Sequence, residues 1–322
     1  MIDISVIIVN YRGWTHLERC LNAFESFTTE TFTFEVIVVD NCSDDGRFEE
    51  FQNRFSRFLF YENFGNNGFS NGCNLGATKA LGEYLLFLNS DIITSEFAVR
   101  ALLTASRLNS EIFVLSCKQI NNSGKEEQVN RLFPDFFTLF GLTRFLFRKL
   151  FQKQLTVEKG IVFTDWVSGS VILISKANFD RIGGWDDRFW LYYEDVDFCK
   201  RVTDLGGKVG VDTNVSMIHN HGGSTRINLE TASVTKTEVV ISLHVYVSIH
   251  FAALSAFFLH SLLILGFLVS RTLPAFLGIP LFFVKRLSLY RKIYFKVMYY
   301  YLNTLKNNSW ISPRSVRFEQ KW

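Results

Sequence analysis

Three carboxylates crowd into four positions at Glu194, Asp195 and Asp197, directly after the aromatic run WLYY. Neighbouring carboxylates repel one another, so such a cluster points to a metal, a polycationic ligand, or an acid kept basic enough to accept a proton. The plainer reading is a helix start, where acids complement the helix dipole. Asp40 and Asn41 close the apolar run FEVIVV. An acid there either accepts hydrogen bonds from a ribose or a base, or caps a turn. Asn89-Ser90-Asp91 closes YLLFL. A short polar tip on an apolar strand suits Mg²⁺ or Mn²⁺, since Mg²⁺ takes one or two carboxylates and fills its shell with water and phosphate oxygens. His219 ends MIH and is the candidate second ligand, with His221 close behind. The stretch Asn63–Gly76, NFGNNGFSNGCNLG, suits a backbone that approaches a ligand closely and offers N–H groups at a helix start. It is neither a Walker A loop nor GxGxxG.

These groups need elements to hold them. Ile4–Val9, Phe34–Val39, Phe58–Tyr61, Tyr84–Leu88 and Phe113–Cys117 read as buried strands. Between them, Thr15–Phe27, Phe48–Phe55, Asn71–Leu81 and Glu96–Leu108 carry helical spacing. Alternation of this kind makes an α/β fold with a mostly parallel sheet and flanking helices, and ligands bind past the carboxyl ends of its strands. The polar tips after Val9, Val39, Tyr61 and Leu88 would therefore face one crevice. Further on, Trp166–Ser175 reads as a strand, Ala177–Ile182 and Glu194–Leu205 as helices, and Lys208–Asp212 and Val215–His219 as two strands.

Composition narrows the class. A net charge of +3 gives no global case for nucleic acid. Five scattered cysteines without a CxxC pair argue against a disulfide framework or a zinc site, and for a reducing cytosol. The start, MIDISVIIVN, has an acid and no basic n-region, so it reads as a strand rather than a signal peptide.

In this order and spacing, SVIIVNYR (Ser5–Arg12), VVDNCSDD (Val38–Asp45), ENFGNNGFSNGCNLG (Glu62–Gly76), LFLNSD (Leu86–Asp91), DWVSGSVILISK (Asp165–Lys176), IGGWDDRFWLYYEDVDFCKRV (Ile182–Val202) and MIHNHGGS (Met217–Ser224) resemble glycosyltransferase family 2. The resemblance is strongest to its rhamnosyltransferase-like branch, where Asn-x-Asp often replaces Asp-x-Asp. It implies a Rossmann-like GT-A domain over 1–230 and an inverting transfer from a nucleotide sugar. Asp40 then reads the base, which Asn10 and Tyr11 line. Asn41, Asn63, Gly68, Asn74, Asn89 and Ser90 lie on the donor side. Asp91 and His219 hold Mg²⁺ or Mn²⁺. Trp166, Ser168 and Gly169 form the strand beneath the donor sugar. Trp166, Gly184, Trp185, Asp186 and Glu194 border the acceptor, and Asp195 is the base. Cys73 stands where many members carry Arg. Glu194 and Asp197 are expected either to raise the proton affinity of Asp195 by repulsion or to position the helix or the acceptor. The competing readings are a non-catalytic nucleotide-sugar-binding scaffold and a nucleotidyltransferase. The second would carry an Arg/Lys-bearing Gly-rich loop after the first strand, and Asn10-Tyr11-Arg12-Gly13 matches that poorly.

The remaining 231–322 form a hydrophobic, basic helical region. Val239–Ser270 contains no charged residue, and from Arg271 to Phe318 there is no Asp or Glu. Phe251–Ser270 matches the ~20 residues of a spanning helix. Basic residues follow it, which places that side in the cytoplasm by the positive-inside rule, yet the catalytic domain needs the same side. The expectation is a re-entrant hairpin or helices lying in the interface, at the cytoplasmic face of a bacterial plasma membrane. The alternatives are a two-span hairpin or a buried helical pair. The basic, aromatic stretch Arg131–Lys153 is either a second membrane contact or a packed helix. The expected partners are a nucleotide-sugar donor, a lipid-linked or other saccharide acceptor and the membrane surface.

Overall fold

The computed structural model describes residues 2–28, 30–127, 131–135, 139, 156–220 and 228–319. Two compact units divide the chain. One holds the described residues of Met1–Phe133, Lys153–Asp186 and Glu194–Ser224; the other holds those of Pro134–Gln152, Asp187–Tyr193 and Thr225–Trp322. Most of Arg131–Lys153, and His221, lie outside the described residues.

The first unit is built on one sheet. Its parallel half is β1 (Ile4–Asn10), β2 (Phe34–Asp40), β3 (Leu59–Glu62) and β4 (Tyr84–Asn89), side by side in the order β3-β2-β1-β4. Continuous β-branched runs suit strands covered on both faces. The helices α1 (Trp14–Glu25), α2 (Phe48–Arg54) and α3 (Phe69–Lys79) connect them, and α4 (Glu96–Leu108) follows on the way to the far half of the sheet. β5 (Ile92–Ile93) and β6 (Ile112–Asn121) follow, then β7 (Val157–Glu158), β8 (Ile161–Phe163), β9 (Val171–Ser175), α5 (Lys176–Ile182), α6 (Glu194–Asp204) and β10 (Lys208–His219).

The far half of the sheet is mixed. β9 lies between β4 and β6 and runs antiparallel to both, while β10 runs parallel to β6 and antiparallel to β5 and β8. Two expected strands, 208–212 and 215–219, are one strand with a register shift between Asp212 and Ser216. Of the expected strand 166–175, only Val171–Ser175 is in the ladder.

Alternation of side chains puts a core on each face. Ile4, Val6 and Ile8 join Leu17, Leu21 and Phe24 of α1 and Val99, Leu102 and Leu103 of α4. Ile7, Ile37 and Val39 join Cys73 and Ala77 of α3, Phe179 of α5, and Phe198 and Val202 of α6. α3 sits close because of its glycines. A Cβ on Gly76 would stand 2.5 Å from Ile7 Cγ2, and one on Gly72 would stand 2.9 Å from Val9 Cγ1. Those two glycines therefore serve helix–sheet packing. Gly68, at φ 92° before the helix, is the one whose backbone requires glycine.

Trp185 belongs to this second core. It is 2% exposed, stacked on Phe198 at 4.4 Å and 16°, and edge-on to Phe87 and Phe69. Trp185, expected in the loop that borders the acceptor, has its indole ring packed in this core.

The second unit contains α7 (Leu229–His250), α8 (Ala253–Leu277), α9 (Lys285–Asn307) and α10 (Val316–Glu319). Buried Glu238 of α7 accepts from Ser312 Oγ at 2.9 Å and pairs with Arg314 at 2.7 Å, tying the C-terminal segment to that helix. α8 runs on through Pro274 and has a mean hydropathy of 2.1 over its most apolar window, of which 22% is buried. It is therefore not a core helix. Leu254, Phe258, Leu262, Leu265, Val269, Leu273 and Phe276 are exposed at helical spacing and form one apolar stripe.

Because Trp185 is packed on three rings, Trp185→Ala is expected to cost about 3–5 kcal/mol. Urea unfolding of the first unit's transition measures it; a loss under about 1 kcal/mol would mean that the ring is not core.

Candidate active site

The strand order places the polar tips of β1, β2 and β3 side by side. Asp40 accepts from Asn10 Nδ2 (2.7 Å), Ser43 Oγ (2.6 Å) and Ser43 N (2.8 Å). Burial raises its proton affinity, and these hydrogen bonds oppose the rise. Asn41 donates to the Gly68 carbonyl at 2.8 Å and accepts from Asn63 at 3.0 Å; Asn63 also donates to Asn71 at 2.8 Å. Asn10, Asp40, Asn41 and Asn63 are thus a buried, cross-linked floor, and Tyr11 lies half-buried beside it with Arg12 over its ring at 5.4 Å. Asn74, expected on the donor side, spends its amide on the Trp185 backbone: Nδ2 donates to Trp185 O (2.8 Å), and Oδ1 accepts from Trp185 N (2.9 Å). That pair fixes the turn at Gly184, whose φ is 72° and whose Cβ would meet Asn74 Oδ1 at 2.8 Å.

A closed circuit of polar contacts joins the ends of four strands. Asn89 N donates to Ser170 O at 3.0 Å, and Ser170 Oγ donates to Gln119 Oε1 at 2.8 Å. Glu127 N donates to Gln119 O at 2.9 Å, and the Glu127 carboxylate meets His219 Nδ1 at 3.0 Å. His219 Nε2 faces Asp91 Oδ1 at 3.4 Å, two residues from Asn89. Ser90, between them, is buried. One residue before Ser170, Gly169 N donates to Asp195 Oδ2 at 3.1 Å, which hangs Asp195 on the same circuit.

The acid cluster separates into three roles. Asp197 is fully buried and pairs with Arg201 four residues on at 2.8 Å. Arg201 in turn donates to Ile182 O (3.0 Å) and Gly184 O (2.7 Å), so Asp197 locks the Gly183-Gly184 turn. Glu194 is buried, with Oε2 lacking a hydrogen-bond partner. Burial, then the charge of Asp195, pushes its proton affinity well above the usual carboxylate range. Asp195 is half-buried and also raised, by burial; the Gly169 N–H and the Arg131 cation hold it down. Burial thus raises the proton affinity of both acids, and the donors on Asp195 oppose the rise there. The expected repulsion from Asp197 is not what raises Asp195. The two residues before this pair, Tyr192 (φ 70°) and Tyr193 (φ 64°), hold a left-handed backbone that bulky residues rarely adopt.

Trp166 donates to Leu132 O at 2.9 Å, under Arg131 at 4.6 Å from its ring. Asp186 is half-buried at the point where the chain leaves the first unit. Glu127 belongs to none of the motifs, and Arg131 opens the basic, aromatic stretch expected to be a membrane contact or a packed helix. A small pocket among Gln119, Glu127, Arg131 and Ser168 brings them together.

Among the described residues no three His, Cys, Asp or Glu side chains converge as a ready metal cage. Asp91 and His219 still fit a divalent ion. Asp91 Oδ1 is buried with no hydrogen-bond donor, and its 3.4 Å gap to Nε2 needs a proton or a cation between the two lone pairs. Two protein donors match the preference of Mg²⁺ for water and phosphate in the remaining positions. In the absence of an ion, burial disfavours charge on His219, but Asp91 and Glu127 outweigh it and raise its proton affinity.

The residue pattern of the glycosyl transferase family 2 matches residues 5–173. This chain belongs to that family. The pattern described as the N-terminal domain of galactosyltransferase matches residues 163–221, the half that carries Asp195 and His219. The low-salt glycan biosynthesis hexosyltransferase Agl10 of Haloferax volcanii is 28% identical over 227 residues, 68% of this chain and 67% of that protein. The N-acetylglucosaminyl-diphospho-decaprenol L-rhamnosyltransferase of Mycobacterium tuberculosis is 25% identical, covering 69% of this chain and 77% of its own. Among solved structures, GalNAc-T7 with UDP, GalNAc and Mn²⁺ superposes with a TM-score of 0.53 at 16% identity, over 75% of this chain and 48% of that one. Staphylococcus aureus TarS 1–349 gives 0.51 at 16% identity, over 74% and 66%. These two carry the GT-A-like fold. The protein is a glycosyltransferase.

Two outcomes follow for the acid pair. Asp195→Asn is expected to lower kcat by about 10²–10⁴-fold while nucleotide affinity holds, and the wild-type acid limb of kcat is expected to lie above the ordinary Asp range. Glu194 binds its proton more tightly folded than unfolded, so stability falls as pH rises through its raised folded value. Glu194→Gln is expected to flatten that loss, read as Tm against pH; an unchanged slope would place the cost elsewhere.

Proposed function

We propose that this glycosyltransferase moves a sugar, with inversion, from a dTDP- or UDP-linked donor to a saccharide on a lipid-linked acceptor at the cytoplasmic face of a membrane, in surface-glycan synthesis. Rhamnose is the favoured sugar, supported by Asn89 in Asn-x-Asp and by relatives named as rhamnosyltransferases. The observation that carries the reading is the circuit that hangs Asp195 and the Asp91–His219 pair on Gly169-Ser170.

In this reading the floor of Asn10, Asp40, Asn41 and Asn63 takes the nucleoside, and the first-turn N–H groups of α3 face the diphosphate. Asp91 and His219 would hold Mg²⁺ or Mn²⁺, which when bound would supply positive charge for the leaving diphosphate. Asp195 takes the acceptor hydroxyl proton as the new carbon–oxygen bond forms and the bond to the diphosphate breaks on the opposite face. Glu194 stays protonated beside it and orients the acceptor. The apolar stripe of α8, with Arg271, Lys285, Arg286 and Arg291 after it, supports docking parallel to an anionic leaflet.

Purified protein is given a panel of UDP-, dTDP- and GDP-sugars, Mg²⁺ or Mn²⁺ and a lipid-diphosphate saccharide. The expected result is nucleoside diphosphate release with one donor, glycosylated lipid, and loss in Asp195→Asn. Tight donor binding without turnover, unchanged by the substitution, would favour a binding scaffold instead. For the membrane, the combined change Leu262→Glu, Leu265→Glu and Val269→Glu is expected to cut flotation with anionic vesicles at least about tenfold; retained flotation would exclude the α8 stripe as the contact.

A further inference from the structure

Glu127 belongs to none of the motifs that mark the site, yet the chain is built to deliver it there. β6 ends in a tight turn. Asn121 N donates to Lys125 O (3.0 Å), and Gly124 N donates to Asn121 O (2.9 Å). The Asn121 side-chain oxygen accepts from Ser123 N (3.0 Å), Ser123 Oγ (2.7 Å) and Lys125 N (3.0 Å). The chain folds back so that Glu126 bridges Ile120 and Glu127 N reaches Gln119 O. Its carboxylate then stands 3.0 Å from His219 Nδ1, with 19% of the side chain exposed.

Where the Glu127 carboxylate accepts at Nδ1, that nitrogen carries the hydrogen, and a neutral ring then has its lone pair on Nε2. Nε2 is the nitrogen turned toward Asp91. A carboxylate on the far nitrogen is the arrangement that fixes the ring of a metal-binding histidine and makes it a better donor. It also supplies charge. Asn89 is neutral where an Asp would add a second negative group, and Glu127 places one on the opposite side of the imidazole.

We propose that Glu127 is a positioning residue for the metal-binding pair: it holds His219 with Nε2 toward Asp91 and supplies, through the ring, negative charge that Asn89 does not. The proposal rests on the metal assignment in the function proposed above.

The test uses the full-length protein and Mn²⁺ alone, followed by loss of the free-ion EPR signal, with no donor or acceptor. Glu127→Ala is expected to weaken Mn²⁺ binding about 10–100-fold. Glu127→Gln keeps an oxygen for the Nδ1 hydrogen but loses the charge, so it is expected to fall between wild type and Ala. ¹⁵N-labelled histidine reads the ring directly: His219 is expected as the Nδ1–H tautomer in wild type and as a mixture in the Ala variant. If the Ala variant does not fold by circular dichroism, the near-isosteric Gln variant carries the test. Wild-type Mn²⁺ affinity in the folded variant, or weakened affinity with an unmoved tautomer, would overturn the proposal. If wild type transfers sugar through Asp195 yet binds no Mn²⁺, the Glu127 assignment falls and the transferase reading stands.

Discussion

One constraint organises the first unit: the polar circuit from Asn89 through Ser170, Gln119, Glu127 and His219 to Asp91. Its members come from the ends of β4, β6 and β10 and from the approach to β9. Asn89, Gln119 and His219 sit on strands with buried neighbours, so apolar packing positions them, while the turn at Asn121 delivers Glu127. The antiparallel insertion of β9 between β4 and β6 is what makes closure possible. It brings Gly169-Ser170 to the carboxyl end of β4, and Asp195 hangs from Gly169. A uniformly parallel sheet would turn the other end of β9 toward that edge.

The acid cluster illustrates how environment divides identical chemistry. Asp197 is matched by a guanidinium and becomes a brace for the turn at Gly184. Glu194 is buried without a donor on Oε2 and holds its proton. Asp195 has one backbone donor from Gly169 and another from Val196 N at 2.9 Å, together with the Arg131 cation, and these oppose the rise that burial causes.

Much of this was legible beforehand. The runs ISVIIV, EVIVV and LLFL read as buried strands, and their polar tips share an edge once the strands are adjacent. The direction of β9 was not legible, because VILIS is equally apolar read either way. Asp212-Thr213-Asn214 looked like a break and is an irregularity within one strand, since a polar triplet marks a bulge and a loop alike. The stretch Asn63–Gly76, with Gly72 and Gly76 in it, suits a backbone that approaches a ligand closely. The missing Cβ serves close packing as well as close binding, and the partner residues Val9 and Ile7 decide between them. Arg201, four residues after Asp197, was a signal for an ion pair that the motif reading passed over. Glu127 had no signal at all, since only the turn at Asn121 brings it beside His219.

The central claim is that a divalent ion and the donor diphosphate meet where Asp91 faces His219, within reach of Asp195. The most direct measurement is anomalous scattering at the manganese edge from crystals grown with Mn²⁺ and a nucleoside diphosphate. The account predicts one peak ~2.1 Å from both Asp91 Oδ1 and His219 Nε2, with the diphosphate reaching it from the start of α3. A diphosphate bound elsewhere, or bound there with the ion held by neither residue, would contradict it.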